Sequence, residues 1–210
     1  MEQIVEAVLM AIPRAGLVEV EISARHVHLS AEHVEILFGK GAVLTHKRDL
    51  SQPEQFLAQE RVNLIGPKGR KEKVAVLGPV RKDTQVELSK SDCVDLGVKA
   101  PVRESGNIEG SGSIVLEGPC GTLEIKEGVI IAHRHIHVPE DIARDLELKN
   151  KEKVSVQIFS DRPVILKDVI VRVSDMFRFR MHIDFDEANA AALNGFTLGR
   201  ILKGQTGNKI

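Results

Sequence analysis

The chain has 210 residues, a formal net charge of −1 and an apolar fraction of 42%, and its pI is about 6.7. This length allows one large domain or two small ones with an apolar core. The near-neutral charge and the lack of Trp and Tyr argue against proteins that bind nucleic acid or membrane surfaces through bulk charge or base stacking.

The cysteines and the first residues indicate a reducing compartment. Cys93 and Cys120 are the two cysteines, and they form no CxxC pattern, which is typical of cytosolic proteins. Glu2 and Glu6 stand where a secretory signal would carry basic residues. No apolar run reaches the roughly 20 residues of a transmembrane helix. We therefore expect a cytoplasmic protein with neither nucleic acid nor membrane as a partner.

Residues 1–14 are predicted to form an N-terminal helix. Pro13 and Gly16 mark its end, and its apolar residues recur at helical spacing, at Ile4, Val5, Val8, Leu9 and Ile12. Two interpretations are open. The helix docks on its own domain or on a neighbouring subunit, or it is a short address peptide that binds a partner through its apolar face.

An alternating strand is predicted next, over residues 17–23, with Val18, Val20 and Ile22 turned inward. From Val62 onward the chain consists of many short strands broken by Gly and Pro, with brief helices at SKSDCVDLG, PEDIARDLEL and DEANAAALNG. Short strands with small helical caps favour compact barrels over a doubly wound α/β sheet.

Two Arg-His-x-His segments are the most informative motifs. They read ARHVHLS at residues 24–30 and AHRHIHV at residues 132–138, each at the end of a strand-like run. Because alternate side chains of a strand share a face, the two histidines of each motif should point the same way. Paired imidazoles suit zinc. The motifs also begin a weak internal repeat, which predicts two related barrel units that meet at a shared site.

Further candidate residues lie outside these motifs. His182 is predicted on the polar face of the strand FRFRMHIDF, whose Phe side chains share the other face. Glu87 lies in a similar strand, QVELS, and can ligate a metal or orient a ligand histidine. Arg81 and Arg103 each end a Pro-Val-Arg triplet and offer donors that suit phosphate. The remaining histidines are interpreted as surface or hydrogen-bonded side chains; they are His33, His46 and His133.

Together these residues resemble the PduL-type phosphate propanoyltransferases, the phosphotransacylases of propanediol utilisation. The resemblance covers nearly the whole chain from about Leu17. It rests on several separated segments: SARHVHLS, DLSQPEQF, GPVRKDTQVELS, APVRESG, GSGSI, GVIIAHRHIHV and MHIDFDEANAA.

The resemblance implies a mainly β fold of two small β-barrels capped by short α-helices. On this basis residues 1–14 are the N-terminal helix, residues 15–24 plus 133–210 form barrel 1, and residues 25–132 form barrel 2. It also implies two zinc ions per chain. The implied metal ligands are His26, His28 and Glu87 for one ion and His135, His137 and His182 for the other. Arg81 and Glu87 are the implied catalytic residues, and Arg81, with Arg103 as a further candidate, would bind phosphate.

The implied reaction interconverts acyl-CoA plus phosphate with acyl phosphate plus CoA. Propionyl-CoA is the expected substrate, with acetyl-CoA as a second one. The expected partners are therefore CoA, acyl-CoA and phosphate. We also expect a homo-oligomer, and either a cytoplasmic location or packaging in the lumen of a bacterial microcompartment with its shell or enzymes.

Three alternatives stay open. A zinc-dependent hydrolase would use a metal-bound hydroxide, although the chain shows little of the βα alternation of amidohydrolase barrels. A cupin-like metal-binding module would use His28 with Glu32, but the second half lacks the matching Gly-rich motif. A scaffold that binds microcompartment shells would need the N-terminal helix and not the histidines.

Overall fold

The computed structural model describes residues 2–202, without the side chains of residues 2–6 and 9. The helices are α1 (Glu2–Arg14), α2 (Ala31–Phe38), α3 (Lys90–Leu96), α4 (Glu140–Asp145) and α5 (Phe185–Ala190). The strands are β1 (Leu17–Ile22), β2 (His26–His28), β3 (His46–Asp49), β4 (Phe56–Ile65), β5 (Arg70–Gly78), β6 (Gln85–Glu87), β7 (Val102–Arg103), β8 (Gly112–Glu117), β9 (Thr122–Ala132), β10 (His135–Val138), β11 (Lys153–Ile158), β12 (Val164–Val173), β13 (Arg180–Ile183) and β14 (Leu198–Leu202). Strand residues outnumber helix residues about two to one, so the predicted mainly β fold with short helices is confirmed.

The chain forms two compact units. One comprises Met1–Ser23 with Arg134–Ile210, and the other comprises Ala24–His133. We call the first the terminal barrel, because both ends of the chain contribute to it, and the second the central barrel.

The terminal barrel is a closed ring of six strands in the order β1-β13-β10-β12-β11-β14. Strand β1 closes the ring by pairing parallel to β13 and antiparallel to β14. The first strand of the chain therefore completes a barrel whose other five strands come from the last third of the sequence.

The central barrel is a second closed ring, in the order β4-β5-β2-β6-β9-β8, and β8 closes it by pairing with β4. Strands β3 and β7 extend this sheet at β4 and β9. Both predicted barrels are thus present.

The two rings have the same plan. In each, the strand that carries the histidine pair (β2 or β10) lies between a parallel neighbour (β5 or β12) and an antiparallel one (β6 or β13). The antiparallel neighbour in turn pairs parallel to β9 or β1. A helix follows each histidine strand and each antiparallel neighbour. The predicted internal repeat therefore corresponds to two barrels with one strand order.

Each barrel encloses its own apolar core. Val18 and Val20 of β1 are buried in the terminal barrel, as their alternation predicts. The inward position predicted for Ile22 is wrong, because this last residue of β1 is 41% exposed. The central core includes Val27 between the two histidines of β2 and Val86 of the facing strand.

Short helices begin directly after the two strands that face the histidine pairs. Ser89 caps α3 in a capping box with Asp92, and Asp184 caps α5 in a capping box with Glu187. These caps satisfy the first backbone N–H groups of each helix. Phe185 begins α5 and is exposed, so its predicted place on the strand face is wrong.

Helix α1 belongs to the terminal barrel. The Nε of Arg14 donates to an Asp145 carboxylate oxygen of α4 at 2.8 Å, which favours docking of the helix on its own unit. The side chains of the predicted apolar positions Ile4, Val5 and Leu9 lie outside the described residues. Among the described helices, none combines the length and apolar character needed to cross a membrane.

Candidate metal centres and their surroundings

Two groups of side chains have the composition and spacing of metal sites. His26, His28 and Glu87 form the central group, and His135, His137 and His182 form the terminal group. Within each group the candidate ligand atoms all lie within 4.8 Å of one another. The structure therefore brings together each of the two ligand sets that the resemblance implies.

Strand pairing builds the central group. His26 and His28 share a face of β2, with ring centroids 4.9 Å apart, and Glu87 of β6 is the register partner of His26. The Nδ1 of His26 donates to the Ala24 carbonyl oxygen at 2.8 Å. This bond leaves Nε2 as the candidate ligand atom, and Nε2 lies 3.5 Å from Glu87 Oε2.

The charges of the central group are strongly coupled. Burial lowers the pKa of His26, but the Glu87 carboxylate outweighs burial and the pKa is raised overall. Burial raises the pKa of Glu87, yet His26 holds this pKa well below its usual range. Burial, His26 and Arg81 together lower the pKa of His28 far below its ordinary value. The lowered pKa of His28 therefore favours its metal-binding form, whereas the raised pKa of His26 makes a proton a stronger competitor for a metal ion at that ring.

The terminal group has the same construction with a third histidine. His135 and His137 share a face of β10 with ring centroids 4.7 Å apart, and His182 of β13 is the register partner of His135. Burial, with the neighbouring His135, His182 and Arg172, lowers the pKa of His137 to about 2. All three rings lie close enough for a neutral ligand set around one cation.

The chemistry of these groups fits a metal. Buried polar atoms almost always have a hydrogen-bond partner. Within residues 2–202, the buried side-chain nitrogens that lack one are His28 Nδ1, His137 Nδ1 and His182 Nε2. Every one of them belongs to one of the two groups. A bound metal cation would give these nitrogens a partner.

Arg81 is joined to the central group by a partly buried network of hydrogen bonds. Its Nη1 donates to Ser105 Oγ at 3.2 Å. The Nε2 of Gln85 donates to Glu87 Oε1 at 2.6 Å and to Ser105 Oγ at 2.8 Å, and its Oε1 accepts from the Gly106 N–H at 2.7 Å. Gln85 is 2% exposed. Arg81 thus presents a fixed positive charge beside the central group.

Arg103 ends the short strand β7. Its Nη1 donates to Asn107 Oδ1 at 3.4 Å, and its carbonyl oxygen accepts from the His133 N–H. It follows the same Pro-Val-Arg pattern as Arg81 but is not part of the bonds that join Arg81, Ser105, Gln85 and Glu87.

The arginine before each histidine pair fixes the pair to a helix. Arg25 Nε donates to Asp92 Oδ1 at 2.8 Å, and Arg134 Nη1 donates to Glu187 Oε1 at 2.6 Å. Asp92 is almost fully buried. The acids are the same ones that close the capping boxes of α3 and α5, so strand and helix are joined at equivalent points in both barrels.

A family model described as phosphate propanoyltransferase matches residues 19–194. The chain belongs to the phosphate propanoyltransferase family. A phosphate propanoyltransferase of Leptotrichia buccalis is 54% identical over 184 residues, 88% of this chain and 87% of that protein. Another, from Clostridioides difficile, is 45% identical over 203 residues, 97% of both chains. The resemblance inferred from the motifs is therefore confirmed, and the family is one of transferases.

Three residues beside the groups escaped the sequence analysis. Gln85 and Glu21 contact Glu87 and His182, respectively, and Asp92 holds Arg25. Gln85 lies two residues before Glu87, and this spacing on one strand was the available signal for it. Glu21 looked like an ordinary outward residue of an alternating strand. Of the other histidines, His33 contacts Thr84 Oγ1 and His46 contacts Asp49, each at 2.7 Å.

Proposed function

We propose that the protein is a phosphate acyltransferase that moves an acyl group between CoA and phosphate. Propionyl is the proposed acyl group, because the relatives are named phosphate propanoyltransferases, and acetyl is a second one. The observation that carries the proposal is the bonded series from Arg81 through Ser105 and Gln85 to Glu87. It supports the proposal because it joins the proposed phosphate-binding arginine to the proposed metal-ligating carboxylate in a member of this family.

In the proposed reaction a phosphate oxygen attacks the thioester carbonyl carbon. The C–O bond forms, the C–S bond breaks, and the thiolate of CoA leaves with the electron pair. The products are acyl phosphate and CoA, and the reverse reaction follows the same path. Neither Cys93 in the apolar core nor Cys120 belongs to a ligand group, so we favour direct attack over a covalent enzyme intermediate.

We further propose two zinc ions per chain. His26, His28 and Glu87 would hold one ion, and His135, His137 and His182 would hold the other. A bound zinc ion supplies Lewis acidity and lowers the pKa of a thiol or water. This chemistry suits a reaction that develops negative charge on sulfur and oxygen.

The protein's own residues would position the phosphate. The guanidinium of Arg81 offers several donors in a plane, which match phosphate oxygens. The hydroxyl of Ser105 restrains that guanidinium, and the amide of Gln85 restrains the Glu87 carboxylate. Arg103 is a further proposed phosphate contact, on the strength of its shared Pro-Val-Arg pattern.

The test is phosphate-dependent release of free thiol from propionyl-CoA by zinc-loaded protein. We expect release with propionyl-CoA and with acetyl-CoA, none without phosphate, and loss of activity together with bound metal in His182→Ala. No release with either acyl-CoA would contradict the proposal, and release without phosphate would favour the hydrolase instead. Metal content that is unchanged in His182→Ala would contradict the ligand assignment.

The role of Arg81 needs a matched control. Arg81→Ala should raise the KM for phosphate more than the KM for acyl-CoA. Lys82→Ala removes a neighbouring cation that is exposed, and it should leave both constants unchanged. Equal effects of the two variants on the phosphate KM would show that general positive charge, and not Arg81 itself, matters.

A further inference from the structure

The segment that carries Arg81 is tied to the residues that follow the central histidine pair. Residues 79–84 connect β5 to β6. The backbone N–H of Arg81 donates to the Leu29 carbonyl oxygen at 2.9 Å, and Ser30 forms an isolated parallel bridge with Arg81. The start of α2 therefore holds the backbone from which the Arg81 guanidinium extends.

The hydroxyl of Thr84 fixes the other end of this segment. Its Oγ1 accepts from the Ser30 N–H at 3.0 Å and lies 2.7 Å from the Nδ1 of His33. A hydroxyl has one proton and two lone pairs, so it can accept from Ser30 while it donates to the imidazole or accepts from it. Thr84 is 5% exposed, so little water reaches this oxygen to replace either partner.

Ser30 and His33 close a ring of hydrogen bonds around Thr84. The N–H of His33 donates to Ser30 Oγ at 3.3 Å, and this bond caps α2. Ser30 thus uses its backbone N–H on Thr84 and its hydroxyl on His33. Each of the three residues is bonded to the other two, so a shift of Thr84 away from α2 breaks two contacts at once.

The terminal barrel lacks every part of this ring. Two positions are equivalent when they lie at the same sequence distance from the histidine pair or from the third candidate ligand. The equivalent residues are apolar: Pro139 for Ser30, Ile142 for His33 and Phe179 for Thr84. Pro139 has no N–H to donate, and it caps α4 without a side-chain bond. A barrel of the same strand order therefore forms without the ring.

Arg81 is missing from the terminal barrel together with the ring. The connection from β12 to β13, residues 174–179, has the same length as residues 79–84, and Met176 lies at the position equivalent to Arg81. The polar ring and the arginine occur in one barrel, and apolar residues replace both in the other. The ring thus accompanies the arginine and not the fold.

We propose that Thr84 and His33 are positioning residues that hold Arg81 where it binds phosphate. The ring fixes the backbone of residues 79–84, and Ser105 restrains the guanidinium at the far end of the side chain. With both points fixed, Arg81 meets phosphate without first being ordered, and small displacements of a positioned group cost binding and rate. The inference rests on the proposed function of Arg81.

The test compares variants that remove or keep the hydroxyl, in zinc-loaded full-length protein. Thr84→Val has a similar shape but leaves the Ser30 N–H without its acceptor. We expect it to raise the KM for phosphate about 10-fold, while the KM for propionyl-CoA and the zinc content stay at wild-type values. Thr84→Ser keeps the hydroxyl and should restore the phosphate KM, and His33→Leu should act in the same direction as Thr84→Val. An unchanged phosphate KM in both Thr84→Val and His33→Leu would overturn the proposal.

A double variant distinguishes positioning of Arg81 from general loosening of the barrel. When Arg81 is already replaced by Ala, Thr84→Val should raise the phosphate KM no further, because the residue that it positions is gone; effects that multiply would contradict this role. Asn63→Ala is the control for stability, since it removes a side chain that bonds Glu117 and the Lys73 N–H in the same barrel. It should leave the phosphate KM unchanged. If Asn63→Ala raised this KM as much as Thr84→Val does, the proposal would be wrong.

Direct binding separates this inference from the proposed reaction. The Kd for inorganic phosphate, measured by calorimetry, should be about 10-fold higher in Thr84→Val than in wild type. An equal Kd in the two proteins would exclude the positioning role even where thiol release depends on phosphate. Wild type that binds phosphate but releases no thiol would contradict the proposed reaction, while a higher Kd in Thr84→Val would still support the positioning role.

Discussion

Glu87 and His182 occupy the same register position in the two barrels, but their surroundings differ because one side chain is a carboxylate and the other is an imidazole. Burying a carboxylate is costly unless it is paired and hydrogen-bonded. Glu87 is accordingly bonded by Gln85 and faces His26. His182 has an imidazole at this position, and its register neighbour on β1 is Glu21. The carboxylate in one barrel and the imidazole in the other therefore have different neighbouring residues.

The amide of Gln85 should therefore determine how firmly the central group holds its metal. Gln85→Met keeps the volume but removes both donors, so Glu87 loses the bond at 2.6 Å that orients it. We expect affinity for one of the two zinc ions to fall about 10- to 100-fold, as for other partners of ligand residues. Chelator competition measures this, with the exposed Gln59→Met as control. An unchanged affinity in Gln85→Met would contradict the positioning role.

The depressed pKa of His137 predicts how the metal-free protein responds to acid. Its pKa is about 2 in the folded chain against an ordinary value of 6.5. Between these values the unfolded chain binds the extra proton, so stability is full above pH 6.5 and falls as the pH decreases. The loss from this residue should be about 2 kcal/mol between pH 6.5 and 4.5.

Denaturant unfolding of chelator-treated protein across this pH range measures that loss. His137→Asn cannot take up the proton and should show a flatter pH dependence. The variant His46→Asn, which removes an exposed histidine that pairs with Asp49, serves as control. A wild-type slope in His137→Asn would contradict the prediction.

The residues that the sequence predicted well share a simple periodicity. The period of two along a strand placed His26 with His28 and His135 with His137, and the structure has both pairs on shared faces. Glu21 was missed because its importance depends on the pairing of β1 with β13, which brings it close to His182. That pairing joins residues far apart in the sequence, and no local pattern encodes it.

At the scale of elements, the short helices α3 and α5 act as fixed ends for the strands that carry the third ligands. The N-cap residue of each helix lies two residues after that ligand and forms a capping box. Each is also tied by an arginine to the strand that carries the histidine pair. In each barrel the helix cap, the arginine–carboxylate pair and the third candidate ligand therefore belong to one small structural unit.

Loss of a cap should thus affect metal binding as well as stability. Asp184→Ala removes the acceptor for the Glu187 N–H and should destabilise the metal-free protein by about 1 kcal/mol. It should also weaken zinc retention, because His182 lies two residues before the cap. Denaturant unfolding and chelator competition measure the two effects.

A control at the opposite end of α5 distinguishes these effects. Ser160 Oγ donates to the Ala191 carbonyl oxygen at 2.6 Å, away from the cap. Ser160→Ala should lower stability by a similar amount, about 1 kcal/mol for a lost hydrogen bond, and leave zinc retention unchanged. If both variants retained zinc equally well, the proposed link between cap and ligand would be wrong.

Element boundaries were predicted less well than element types. The strand read through FRFRMHIDF is confined to Arg180–Ile183, because Asp184 stops it by capping α5. The alternation that marked Ile22 as buried fails at the last residue of β1, which is 41% exposed. In both places the alternation of apolar and polar residues extends beyond the end of the strand or of its buried part.

At the scale of the molecule, the two barrels have the same strand order. In the terminal barrel one strand, β1, comes from the N-terminal part of the chain, and the other five come from the C-terminal part. The internal repeat in the sequence indicated two related units. It did not indicate which strand closes which ring, since β1 carries no motif of its own. The prediction that the first strand belongs to the same barrel as the C-terminal part rested on the family resemblance.

This relation predicts that the chain tolerates a circular permutation. A protein that begins at Ala24 and carries residues 1–23 after Ile210 would run through both barrels in order. We expect it to bind the same zinc per chain as wild type and to unfold at a similar denaturant concentration. A permutant in which β1 is replaced by a Gly/Ser-rich segment of equal length is the control and should lose the terminal ion. Loss of that ion in the intact permutant would contradict the prediction.

The position of β1 has a consequence during synthesis. Its pairing partners β13 and β14 leave the ribosome about 10 to 35 s after it, at roughly 5–20 residues per second. During that interval β1 has free backbone groups on both edges, and such strands pair readily with other chains. Glu19 and Glu21 place two charges on one face of this strand. We expect these charges to discourage premature pairing, so they would protect the nascent chain before they hold Arg180 in the finished barrel.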